Sequence, residues 1–124
     1  MDDAHDDDVL LAPAIVQPVG APRPYLWSAH TPAEQAQALD ELELWTGWLV
    51  HRYRLDHRTI PPCWPQHSDL IEELSALRLA WQTAYATLAN GDAPLAWHEH
   101  FALARERLSL AVSRSGCRPM EHRS

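Results

Sequence analysis

The chain holds two cysteines, and a histidine follows each of them: Cys63-x3-His67 in IPPCWPQH and Cys117-x4-His122 in GCRPMEH. Two thiolates and two imidazoles form the donor set that zinc takes tetrahedrally in closed structural sites, where four protein ligands leave no position for water. A zinc finger pairs cysteine with cysteine and histidine with histidine. Here each pair is mixed, and no strand hairpin organises it. Two plainer readings stand beside zinc. An unbridged cysteine packs as a small hydrophobe, so the default is two inert buried thiols, with His67 helping to cap a helix and His122 in the tail. A Cys63–Cys117 disulfide is the third reading, and it requires an oxidising compartment.

Other residues offer weaker chemistry. His98-Glu99-His100 puts its histidines at i and i+2, which on a helix point to different faces, unlike the i, i+4 pair of HExxH; a solvated first turn is the expected role. The stretch HRYRLDHR concentrates Arg52, Arg54 and Arg58, the one local basic cluster. Phosphate contact by these three is the alternative to their usual work at a helix C-terminus, where cations meet the negative end of the dipole. Trp45, Trp48, Trp64, Trp81 and Trp97 are expected to form core, with Trp64 a candidate for residual contact with a partner. The sequence carries no Gly-rich phosphate loop, nucleophile–base order or paired-carboxylate motif, so the expectation is a protein that is not an enzyme.

The elements that position these residues follow from composition and periodicity. A chain of 124 residues, 46% hydrophobic with six tryptophans, supplies one modest core. The net charge of −7 comes largely from the opening MDDAHDDD, and every one of the ten basic residues is arginine. Residues 1–24 read as a disordered acidic and then Pro/Ala-rich arm, because prolines 13, 18, 22 and 24 deny it a helix. Residues 25–124 form the helical domain. Thr31-Pro-Ala-Glu34 is a capping box with proline at the first helical position. Leu39, Leu42, Trp45, Leu49 and Tyr53, widened by Leu44 and Trp48, give a helix over about 32–55. Ser68 caps the next, over about 68–89, whose seam is Leu70, Leu74, Leu77, Trp81, Ala84 and Leu88. Asn90-Gly91 supplies a left-handed stop, and a third helix over about 93–115 follows on Trp97, Phe101, Ala104, Leu108 and Ala111, closed by Gly116.

Short connections make the fold class an all-α, three-helix antiparallel bundle. That topology brings Cys63 and His67, before helix two, to the same end as Cys117 and His122, after helix three. Helix one is expected to finish there too, bringing His51 and His57, while His30, His98 and His100 go to the far end. No stretch approaches the roughly 20 apolar residues that span a bilayer, and the run at 9–16 follows aspartates rather than a basic region, so no membrane partner and a cytoplasmic location are expected.

The pattern W-x2-W-L-x3-Y (Trp45 to Tyr53), P-P-C-W-x2-H (Pro61 to His67), E-E-L-x-A-L-x2-A-W (Glu72 to Trp81), Trp97-His98 and a terminal G-C…H (Gly116 to His122) resembles an actinobacterial family of unknown function. It covers about residues 25–122. The resemblance implies a setting on conjugative plasmids, integrative elements and phages, and brings no catalytic residues. The expectation is therefore a helical accessory or adaptor protein of a mobile element, braced by structural zinc if the donors bind metal, with a protein partner or a second copy. The alternative is a DNA-associated accessory protein using Arg52, Arg54 and Arg58.

Overall fold

The computed structural model of the chain describes residues 22–117. Three α-helices carry the fold: α1 (Pro32–Tyr53), α2 (Ser68–Ala84) and α3 (Ala93–Ser115), with 3-10 turns at Trp27–Ala29 and Trp64–Gln66. The all-α, three-helix bundle expected from the sequence is what the chain builds. Within it, several local expectations change.

α1 starts where its signals place it. The Glu34 N–H donates to Thr31 Oγ1 at 3.2 Å and the Thr31 N–H donates to Glu34 Oε1 at 2.9 Å, so both halves of the capping box form. Gln35 Nε2 donates to the carbonyls of Trp27 and His30 at 2.7 and 3.1 Å, tying the entering chain to the first turn. α1 ends on Arg54, which adopts a left-handed φ of 56°. The Leu55 N–H then reaches back to the Val50 carbonyl at 3.0 Å, and Leu55 itself is buried. Along α1, Leu42, Trp45 and Leu49 are buried, whereas Leu44, expected to widen the stripe, faces solvent.

α2 buries Leu70, Leu74, Leu77, Trp81 and Ala84, the 4-3-4-3 seam. It stops at Ala84 rather than near 89, and Leu88, expected to extend the seam, is 96% exposed. Five more residues would carry the connection about 7.5 Å further, past the layer in which Trp97 Nε1 donates to the Leu77 carbonyl at 3.3 Å. Because the helix has already ended, Gly91 is not the left-handed stop expected of it; among the described residues only Arg54 and Gly116 have positive φ. α3 buries Trp97, Phe101, Ala104, Leu108 and Val112, the last taking the place expected for Ala111. Gly116, at φ 78°, closes it as expected.

α2 and α3 form an antiparallel hairpin, fixed along its length by the Trp97–Leu77 bond and by the forked pair of Arg107 with Glu73 at 2.8–3.1 Å. α1 crosses this hairpin instead of running its length. Trp45 and Trp48 meet Trp81, with ring centroids 5.9 and 5.2 Å apart. Tyr53, the last residue of α1, packs on Trp97 at 5.8 Å and Phe101 at 5.0 Å. Helix one therefore finishes beside the first turns of α3, not at the cysteine end. Three bulky indoles, Trp45, Trp48 and Trp81, meet at tilts of 45–54° where α1 reaches α2. The segment after Tyr53 returns along α3, with Thr59 Oγ1 3.3 Å from Ser109 Oγ, before it reaches Cys63.

Candidate metal centre

The turn that carries Cys63 and His67 is built by its own backbone. The Trp64 N–H donates to the Pro61 carbonyl at 3.0 Å, Gln66 to Cys63 at 2.9 Å and His67 to Trp64 at 3.0 Å. This 3-10 turn folds His67 back over Cys63. His67 then stands at the N-cap position of α2, its carbonyl accepting from Leu70 and Ile71. Its side chain makes no capping bond, and Ser68 is the first helical residue rather than the cap. The imidazole is turned toward sulfur instead.

Cys117 arrives from the other direction. Gly116 reverses the chain, Ser115 Oγ donates to the Val112 carbonyl at 2.7 Å, and the Cys117 N–H donates to Ser115 Oγ at 3.1 Å. The result is a triangle. Cys63 Sγ lies 3.4 Å from Cys117 Sγ, and His67 Nε2 lies 3.6 Å from Cys63 Sγ and 3.3 Å from Cys117 Sγ. Cys117 is buried, and Cys63 and His67 are half-buried. The pairing of distant segments at one end, expected from the helix order, is therefore present.

The triangle can be compared with one face of a zinc tetrahedron. Bonds of about 2.3 Å to sulfur and about 2.0–2.1 Å to nitrogen put neighbouring sulfurs about 3.8 Å apart and sulfur and nitrogen about 3.5–3.6 Å apart. The three observed edges, 3.3–3.6 Å, fall within about 0.4 Å of these values, so the donors fit a metal ion with small adjustments. The sulfurs are in van der Waals contact rather than bonded, well beyond the roughly 2.05 Å of a disulfide. Burial, and then the neighbouring Cys117 thiol, push the Cys63 thiol above its ordinary range. A bound cation inverts that preference and holds coordinating thiols deprotonated, and the N-terminus of α2 adds partial positive charge on the same side. His122, the fourth donor expected from the sequence, lies outside the described residues.

Other candidates fall elsewhere. Arg52, Arg54 and Arg58 are all exposed, around the end of α1, with the Arg58 N–H donating to Asp56 Oδ1 at 3.0 Å. Trp64, expected as a partner contact, is 7% exposed and belongs to the core; the turn that aims Cys63 and His67 at each other tucks its indole inward. His51 and His57 line a cleft with Ile60, Pro61, Pro62 and Trp64, outside the set of converging donors. His98 lies in the first turns of α3, at the end away from Cys117 as expected, and there Tyr53 Oη lies 3.0 Å from its Nε2. This pair was not anticipated. The signal for it is present only in hindsight, as Tyr53 at the foot of one helix and Trp97-His98 at the head of another. Among the described residues no helix is long and apolar enough to cross a membrane. No protein-family model, no curated protein and no solved structure matches the chain.

Proposed function

We propose that the chain is a non-enzymatic helical accessory module, an adaptor or assembly subunit, whose cysteine end is braced by a structural zinc ion. Cys63, His67 and Cys117 supply one face of the coordination shell and His122 the fourth ligand. The observation that carries this reading is the triangle of donors with edges of 3.3–3.6 Å, drawn from residues 54 apart in the chain. With four protein ligands such an ion has no open position for water, so its contribution is to folding rather than to hydrolysis. The mobile-element setting, on an actinobacterial plasmid, integrative element or phage, rests on the PPCW-x2-H…GC…H resemblance. A protein partner or second copy is favoured by leucines that face solvent, Leu44, Leu88, Leu95 and Leu103.

The test is metal analysis of untagged protein. About one zinc per chain is expected, and replacement by cobalt should give the intense near-ultraviolet band of thiolate coordination. Protein that carries no metal, takes up none, and melts unchanged on chelation would leave two buried thiols and remove the zinc reading. A second reading, DNA association, is favoured by the exposure of Arg52, Arg54 and Arg58 at one end of α1. It requires binding to duplex or single-stranded DNA that weakens steeply with salt.

A further inference from the structure

An apolar groove of about 590 Å³ lies between the second half of α2 and the first turns of α3. Six of its twelve lining residues are alanines, Trp97 is among the others, and the exposed Leu88 stands at its edge. Alanine walls let another backbone come close, and the groove is of the size that takes a ligand of several apolar side chains. We infer that its occupant is a segment of the same chain, residues 9–16 (VLLAPAIV).

Position is the first argument. The described chain begins at residue 22, and Arg23, Tyr25 and Trp27 share a neighbouring cleft with Ser75, Arg78, Leu79 and Gln82 on α2. Leu79 lines both the cleft and the groove. The cleft that takes the start of the described chain and the groove therefore adjoin at Leu79.

Length is the second. Residues 17–21 stand between the apolar run and the described chain, and five extended residues reach about 17 Å. Cleft and groove adjoin on one helix, and a helix with its side chains is about 10–12 Å across, less than that reach. A segment so tethered meets the groove at an effective concentration in the millimolar range, which a free partner or a second copy has to match.

Chemistry is the third. The run from Val9 to Val16 offers Leu10, Leu11 and Ile15 to an apolar trough, and Pro13 favours an extended path over a helix. The aspartates that precede it mark where the apolar segment ends. Left in water, those side chains and the alanine trough would each expose apolar surface that their union covers.

Hydrogen–deuterium exchange by mass spectrometry on the full-length chain tests this, comparing the wild type with Leu11→Asp/Ile15→Asp. Both substitutions lie outside the described fold, so the core is untouched. In the wild type, amides in 9–16 should exchange at least about tenfold slower than an unstructured chain. The double variant should lose that protection and speed exchange several-fold across 83–96. Ala96→Arg, on the exposed groove wall, should release 9–16 in the same way. Wild-type residues 9–16 exchanging at the unstructured rate would overturn the inference. So would protection of 83–96 that survives Leu11→Asp/Ile15→Asp, and light scattering that shows a dimer in that case assigns the groove to a second copy.

Discussion

The aromatic layer and the cysteine end are held together by different physics. In the layer, Trp45, Trp48, Tyr53, Trp81, Trp97 and Phe101 interlock with ring centroids 4.9–6.4 Å apart and draw on all three helices. Burial and dispersion are non-directional and need no cofactor. At the cysteine end, turns and a single reversal at Gly116 bring three polar donors into contact, where burial and then the Cys117 thiol disfavour charge on the Cys63 thiol. Geometry in the first region is a matter of volume, and in the second of coordination. Metal supply should therefore act on one end of the molecule and leave the other unmoved.

The largest effect should come from the layer. Trp97 is 1% exposed and contacts α1 and α3 aromatics as well as the Leu77 carbonyl. Trp97→Ala should cost about 3–5 kcal/mol, read from urea denaturation, and the loss should be the same with and without chelator. A loss that appears only in chelated protein would merge the two regions into one and end the contrast.

Next comes metal removal. At zinc about 100–1,000-fold above its dissociation constant, binding to the folded state alone stabilises by about 2.7–4.1 kcal/mol, and chelation should remove that amount. Hydrogen exchange should quicken at 60–67 and 112–117 and stay unchanged around Trp97. The pH dependence should change with the metal. Zinc requires deprotonated thiols and imidazole, so its contribution is lost in acid. Without zinc, Cys63 is held above the usual thiol range, so its contribution is complete below the unfolded thiol's pKa and is lost as pH rises through the folded value. The gap between melting curves with and without chelator should therefore shrink in acid and widen as pH rises toward the thiol range; a gap that does not change with pH would count against a metal at these donors.

Arg54 joins the two regions, at the point where the chain leaves the layer for the cysteine end. Its left-handed φ of 56° is one that a side chain resists and glycine does not. Arg54→Gly should stabilise by about 0.5–1 kcal/mol, measured by denaturant midpoint. If the arginine also contacts DNA, the same variant should weaken that binding and flatten its salt dependence.

What could be read from the sequence divides along the same line. Local signals were legible: the Thr31–Glu34 box, the seam through Trp81 and the reversal at Gly116 each depend on a few neighbouring residues. The meeting of Cys63, His67 and Cys117 was legible too, because it needs only that α2 and α3 be antiparallel neighbours. Two things were not. Periodicity carried α2 on to Leu88, since a repeat records which residues would share a face and not where the chain turns away. The crossing of α1 and the burial of Trp64 depend on how bulky indoles fit together in three dimensions, and spacing along one helix says nothing of that.

The first turn of α1 tests whether the two regions are independent. The capping box sits at the N-terminus of α1, and Thr31→Ala should cost about 1 kcal/mol through the lost bond to the Glu34 N–H. Glu34 adds a charge term. The Thr31 backbone N–H, and then the His30 side chain, hold its carboxyl below the ordinary range. A depressed carboxyl contributes stability that is present above the unfolded pKa and is lost as pH falls through the folded one. Glu34→Gln keeps the hydrogen-bonding shape and removes the charge, so the variant should be slightly less stable than wild type at pH near 7 and equal to it in acid below the carboxylate range. A difference that persisted in acid would mean that shape, not charge, carries the Glu34 contribution. In either variant, exchange at 60–67 should not move. If it did, α1 would be transmitting strain from its first turn to the donors, and the cysteine end would owe its geometry to the packed helices as much as to coordination.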